Sequence, residues 1–338
     1  MLSTIDYAGS GFRIAEAVRQ YSKYKVHHII FFKSPRIFPY EHCVFDETTD
    51  ANTLFDLQRL IYNADILHFK SDTPWENTWG YDKQVSSDSV FTKESRIRFN
   101  FTLPCGVPRV QTVSSSFFRR AIPRFKKVYD ASSSEKLRIT NIVKRTDARV
   151  ALTPDLNTPL FKGVYIPAAM ATKPSTWKYR KVPSIGHSPT GWRKKLLFEE
   201  TLDVLRGKYA FTTDIIEQLP YLEAIRRKSR CTLFWEKVSP WSDAYGNSAI
   251  EAGMFGIPTL VYLGKVAQQQ AKGLLNDMPY VRFSPELDKC KESLEGLLKM
   301  SKSDLTDLSH RTKEWTEKVH GYENVGTRYA EIYDSLLK

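Results

Sequence analysis

Asp243 and Glu251 stand with seven residues between them in the segment Asp243–Pro258, DAYGNSAIEAGMFGIP. Asp243 lies in a turn containing Gly246. Glu251 is expected to open a helix of small residues that stops at Gly256 and Pro258, and Thr259–Leu263 reads as the strand that follows. A loop, helix N-terminus and strand in that order is where α/β proteins bind anions, because the first-turn N–H groups have no partner within the helix. Two acceptor-only carboxylates beside such donors suit a ligand carrying both hydroxyls and phosphates, as a nucleotide-sugar does. The competing reading is a pair of acids that cap a helix and complement its dipole.

A second cluster lies in Ile185–Lys195, IGHSPTGWRKK. His187, Ser188 and Thr190 precede three cations, Arg193, Lys194 and Lys195. A fixed cation beside a departing phosphate stabilises the transition state more than the ground state. The plainer reading is a solvated basic helix start, and the sequence does not choose among the three cations. Gly9-Ser10-Gly11 forms a tight turn after the opening strand, where glycine lets backbone approach a ligand closely. His68 in Asp65-Ile-Leu-His-Phe69 sits at a strand end, where a histidine is either a structural group or a substrate contact. The chain contains no D-x-D, no phosphate-binding G-x-x-x-x-G-K-[ST] and no G-x-S-x-G. NTPase and serine-hydrolase readings therefore fall away.

The elements that must position these groups read as strands alternating with helices, hence parallel sheets with both faces covered. Ile14, Ala17, Val18 and Tyr21 fall at i, i+3, i+4 and i+7, one face of a helix after the Gly9 turn. Val26–Phe32, Asp65–Phe69, Arg109–Val113 and Val150–Leu152 are expected strands, with a helix over Leu54–Tyr62. Pro159, Gly163, Pro167, Pro174 and Pro183 then punctuate a connection. A second α/β run follows, with strands at Ser184–His187, Lys208–Thr212, Cys231–Phe234 and Thr259–Leu263, and a helix over Glu217–Arg227. From Asp304 onward the pattern is helical.

The chain has 338 residues, enough for two α/β domains with separate cores. No apolar run approaches the length of a membrane span, and the N-terminus lacks the basic and apolar regions of a secretory signal. The four cysteines are scattered without a CxxC, as expected for reduced thiols in a cytoplasmic protein. Fifty Lys and Arg against 38 Asp and Glu give a net charge of +12. That excess favours a polyanionic partner, and a sugar donor alone does not account for it.

The segment around Glu251 resembles the donor-binding signature of retaining GT-B glycosyltransferases, the group 1 or family 4-like enzymes related to glycogen and sucrose-phosphate synthases. Their pattern is an acid, seven residues and Glu, embedded in G-x-x-x-x-E-A-x-x-x-G-x-P. Gly246, Glu251, Ala252, Gly256 and Pro258 match it in register, and Asp243 replaces the usual first Glu. His187 to Thr190 are similar in style to the family's H-x-P loop. The resemblance implies an α/β fold of GT-B type, two Rossmann-like domains facing across a cleft. Residues 1–168 would be the acceptor-side domain and 182–316 the donor domain, with a C-terminal helix, 317–338, crossing back to the first.

It further implies transfer of a hexosyl group from a UDP-linked sugar to a hydroxyl, with retention and without a metal or other cofactor. Glu251 would accept from ribose hydroxyls and Asp243 would contact the transferred sugar. The backbone of Gly246, Asn247 and Ser248 would face the diphosphate, and the Gly9 to Gly11 turn would line the cleft. His68 lies in a D-I-x-H strand common in the family and is a candidate catalytic residue with Asp243 and Glu251. Ser114, Ser115, Arg119 and Arg120 stand where relatives carry a His-Gly pair followed by Arg; the His-Gly is missing here, so these four remain acceptor-side candidates.

Basic clusters at Arg119–Lys127, Lys178–Lys181 and Arg226–Arg230 interleave with aromatics, a pattern that suits phosphate backbones with stacked bases. Such clusters also suit enzymes at anionic membranes. The compact chain resembles phage-encoded glycosyltransferases that decorate hydroxymethylated bases in DNA, which would act in the host cytoplasm. DNA is therefore the favoured acceptor, ahead of a glycan or lipid-linked sugar. A non-catalytic GT-B protein that binds nucleotide-sugar or nucleic acid is the rival of a different class.

Overall fold

The computed structural model describes residues 1–5, 9–32, 40–44, 49–70, 78–81, 99–113, 140–157, 161–189, 196–236, 244–271 and 273–338. The first half of the chain builds a parallel sheet from β1 (Leu2–Ile5), β2 (Ile29–Phe32), β3 (His42–Cys43), β4 (Leu67–Lys70), β7 (Arg109–Val113), β8 (Ala148–Ala151) and β9 (Val164–Tyr165). An antiparallel hairpin, β5 (Thr78–Tyr81) and β6 (Phe99–Thr102), interrupts the series between β4 and β7. The strand order is β3-β2-β1-β4-β7-β8-β9, and every pairing in this sheet is parallel. The second half builds a parallel sheet of order β11-β10-β12-β13-β14. Its strands are β10 (Ser184–His187), β11 (Thr212–Ile215), β12 (Leu233–Trp235), β13 (Thr259–Tyr262) and β14 (Val281–Phe283).

Helices α1 (Ser10–Tyr21) and α2 (Ala51–Tyr62) belong to the first half. The second contains α3 (Leu196–Arg206), α4 (Tyr221–Lys228), α5 (Asn247–Met254), α6 (Lys265–Gln270), α7 (Leu287–Lys299) and α8 (Lys302–His320), and α9 (Tyr322–Leu336) closes the chain. Among the described residues no helix is long and apolar enough to cross a membrane.

Several boundaries move from their expected places for identifiable reasons. The expected strand Val26–Phe32 begins only at Ile29, because side chains take the backbone groups before it. The Val26 carbonyl accepts from Arg19 Nε, and the His28 amide donates to Glu41. The strand expected over Lys208–Thr212 is displaced to Thr212–Ile215. The Lys208 and Tyr209 amides instead close the last turn of α3 on the Leu205 carbonyl. The helix expected over Glu217–Arg227 starts after Pro220, at its N-cap, as the fixed ring and missing N–H of proline require.

The helical C-terminus is two helices, broken at Gly321. That glycine is extended, and a Cβ there would collide with the Glu317 carbonyl oxygen. At the break the chain meets its own earlier crossing. Met170 forms a parallel bridge with Gly321, and its amide donates to the His320 carbonyl. His320 donates from Nδ1 to the Ala168 carbonyl (3.0 Å) and accepts at Nε2 from Tyr245 Oη (2.9 Å), which fixes its tautomer. Burial lowers its pKa to about 4, so the ring stays neutral around physiological pH.

Beyond the break, α9 returns to the first half and lies along α1. Val325, Tyr329 and Tyr333 pack with Ile14, Ala17 and Val18 in one core, and each such side chain is worth roughly 1.5–3 kcal/mol when buried. The close approach is set by Gly326, where a Cβ would strike the Ala17 backbone carbonyl. Helix propensity alone favours Gly326→Ala by about 1 kcal/mol. Because the obstacle is backbone, the variant should instead be destabilised by about 1–3 kcal/mol, read as a lowered midpoint in urea unfolding.

Candidate functional site

In an open parallel sheet, ligands bind beyond the carboxyl ends of the strands where the strand order reverses. In the first sheet that point lies between β1 and β4, and in the second between β10 and β12. The loops leaving those strands carry the segments singled out by their chemistry. β1 leads to the Gly9 turn, and β10 ends at His187. Beyond β12, residues 237–243 separate the strand from α5, and β13 follows that helix.

Gly9 has φ 63° and ψ 16°, a left-handed conformation that favours glycine, and its carbonyl accepts from the Arg13 amide. Gly11 is buried in the first turn of α1. In the second half, Gly246 is the extended N-cap of α5 and supplies no side-chain cap. The partly exposed first-turn residues Asn247 and Ser248 therefore present N–H groups without intrahelical acceptors. Ser188 is partly buried, and its hydroxyl donates to the Ile216 carbonyl at 3.0 Å.

Glu251 does not open the helix as the sequence suggested. It is the fifth residue of α5, and only 8% of it is exposed. Its two oxygens meet cations from different halves of the chain. Lys228 Nζ at the end of α4 lies 2.6 Å from Oε2, and Arg13 of α1 lies 3.0 Å from Oε1. Arg13 also donates to Tyr221 Oη at 2.6 Å. Burial pushes the Glu251 carboxyl up, but Lys228 and Arg13 outweigh it and hold the group below its ordinary range. A carboxylate has about four lone-pair sites, and these cations occupy one on each oxygen. The acid is thus ionised, fixed and still able to accept from a hydroxyl.

Arg13, Tyr221, Lys228 and Glu236 were not among the residues expected from sequence. Glu236, 1% exposed, follows β12 at the point where the strand order reverses. Lys228 was hidden inside a basic run read as surface. Arg13 lies on the buried face of α1 beside Ile14.

The two candidate histidines are both buried. His68 is 4% exposed, with Nδ1 2.6 Å from Tyr333 Oη and Nε2 2.7 Å from Thr112 Oγ1. Nδ1 ties α9 to the first sheet, Nε2 links β4 to β7, and burial lowers its pKa well below the usual range. These bonds give His68 the structural role that the sequence offered beside a substrate contact. His187 is fully buried, stacked on Phe198 at 4.4 Å, with Nδ1 3.0 Å from the Trp235 carbonyl oxygen. Asp243, Thr190, Arg193, Lys194, Lys195, Ser114, Ser115, Arg119 and Arg120 lie outside the described residues.

No protein-family model matches the sequence, and no curated protein sequence matches it. Solved structures do match in fold. Anabaena Alr3699/HepE in complex with UDP and glucose aligns over 99% of both chains, with TM-score 0.60 and 9% identity. An alpha-glucosyltransferase in complex with UDP and a 13-mer DNA containing an HMU base aligns over 100% of this chain and 99% of that one (TM-score 0.57, 9% identity). A glycosyltransferase from Rickettsia africae gives TM-score 0.56 and 12% identity over 100% and 98% of the two chains. The fold is GT-B. Two Rossmann-like parallel-sheet units and the returning terminal helix are its parts.

Breaking one side of a buried ion cluster is costly, so Lys228→Met should lose about 3 kcal/mol of stability at neutral pH. The sign of the pH dependence follows from the lowered Glu251 pKa. Its contribution is present above the unfolded value of 4.5 and is lost as pH falls through the lower folded value. The gap between wild type and Lys228→Met, measured by urea unfolding at a series of pH values, should therefore narrow on acidification below that value.

Proposed function

We propose that the protein transfers a hexosyl group from a UDP-linked sugar to an acceptor hydroxyl, with retention at the anomeric carbon and no metal. The observation that carries this reading is Glu251. An ionised, immobilised carboxylate with spare lone pairs lies one turn inside a helix whose uncapped N-terminus adjoins the point where the strand order reverses. Such a group accepts from the ribose hydroxyls, while the Asn247 and Ser248 amides donate to the diphosphate. Asp243 contacts the transferred sugar. One or more of Arg193, Lys194 and Lys195, which follow His187 in sequence, and the Gly9 to Gly11 backbone complete the phosphate side. Likeness in fold to structures that hold UDP or UDP-glucose supports the donor class. The division into 1–168 with 317–338, and 182–316, is part of the same reading.

In this mechanism the acceptor oxygen attacks the anomeric carbon on the face from which the diphosphate departs. The bond from that carbon to the phosphate oxygen breaks, the new glycosidic bond forms, and the departing phosphate oxygen takes the acceptor proton. The fixed donors and cations stabilise the charge that develops on UDP, and no side-chain nucleophile is required. The favoured acceptor is a hydroxymethylated base in DNA, contacted by Ser114, Ser115, Arg119 and Arg120. The net charge of +12 and the fold shared with a glucosyltransferase bound to DNA support it.

A panel of tritiated UDP-sugars offered with hydroxymethylated DNA, plain DNA and lipid-linked acceptors tests both parts. Label should enter hydroxymethylated DNA; label confined to a lipid or glycan would show the acceptor assignment wrong. Glu251→Ala should abolish transfer, and Glu251→Gln, which keeps the shape of the side chain, should weaken UDP binding at least about tenfold. Full activity in both variants would refute the donor site. UDP binding by the wild type without transfer to any acceptor would identify a non-catalytic binding protein.

A further inference from the structure

The basic runs Lys178–Lys181 and Arg226–Arg230 are far apart in sequence, yet members of both line one cleft of about 450 Å³. Lys178 and Arg180 come from the extended segment before β10, and Ser229 and Arg230 from the end of α4. The segment is held in place. Thr176 Oγ1 donates to the Ser229 carbonyl at 2.9 Å, and Trp177 Nε1 donates to the Thr232 carbonyl at 2.8 Å.

The charge pairing within the two runs separates Arg230 from its neighbours. Arg226 pairs with Glu223, Arg227 with Asp214 and Lys228 with Glu251. Among the described residues Lys178, Arg180 and Arg230 have no ion-pair partner, and no carboxylate lines the cleft. Three cations without an ion-pair partner among the described residues, around a preformed concavity, make an anion site. The cleft opens where the chain enters β10 and β12, at the amino ends of the second sheet. It lies at the other end of the strands from the α5 N-terminus, where the candidate donor site faces.

We propose that this cleft holds the phosphodiester backbone of a nucleic acid. A backbone presents phosphates in series, which matches cations brought to one cleft from two segments. The contact anchors the protein on the polymer without reading sequence, and it does not depend on the sugar-transfer reading.

The test is fluorescence anisotropy of the full chain with a labelled DNA duplex, titrated with salt. Each phosphate contact contributes about 0.9 to the slope of log affinity against log salt. K178A/R180A/R230A should therefore reduce the slope by about two to three and weaken binding at least about tenfold, with UDP binding unchanged. Replacing the paired cations Arg206, Lys289 and Lys299 by alanine should leave both quantities near wild type. The proposal is overturned if the two triple variants behave alike or if the wild type does not bind the duplex. Binding to phosphatidylserine vesicles in place of the duplex would overturn it in favour of a membrane surface.

Discussion

A carboxylate taken out of water needs positive charge close by, and Glu251 draws its two cations from opposite halves of the chain. Arg13 reaches it from α1, just past the Gly9 turn, while Lys228 reaches it from the end of α4 within the second half. Desolvation penalises each of these charges separately, so the cluster persists only while all three stay together. The relative placement of the two sheets is thereby tied to the ionisation of one side chain. The same side chain sits one turn below the helix N-terminus at the cleft. Architecture and site chemistry share a single electrostatic arrangement.

A second connection reaches the same helix through neutral groups. Tyr245, immediately before Gly246, meets His320, and Tyr165 packs in the same core. His320 in turn holds the Ala168 carbonyl where the chain passes between halves, and Gly321 marks the return passage. The approach to the α5 N-terminus is therefore braced where both crossings meet. A rotation of the halves about that point would be felt at Tyr245.

The alternation of strands and helices, and with it the fold, was legible because buried parallel strands are short apolar runs and their covering helices are amphipathic. Glu251 was legible because glycine, alanine and proline at fixed offsets constrain a tight helix-to-strand turn. Its partners were not. A buried arginine or lysine looks like any surface cation until tertiary structure brings a carboxylate to it, and Arg13 is 238 residues from Glu251 in sequence. The partners of His68, Thr112 and Tyr333, are likewise remote in sequence. Boundaries shifted wherever a side chain or proline claimed a backbone group, as Arg19, Glu41 and Pro220 do.

The return of α9 to α1 also bears on the order in which the molecule can be made. Synthesis delivers α9 long after α1, with the whole second sheet between them. Throughout translation the apolar stripe of Ile14, Ala17 and Val18 lacks its native cover, and His68 and Thr112 lack the tyrosines they bind. The core between α1 and the first sheet therefore closes only when α9 has left the ribosome. A nascent chain stalled anywhere in the second half would carry a finished sheet with an open seam, and that seam is where chaperones would find it.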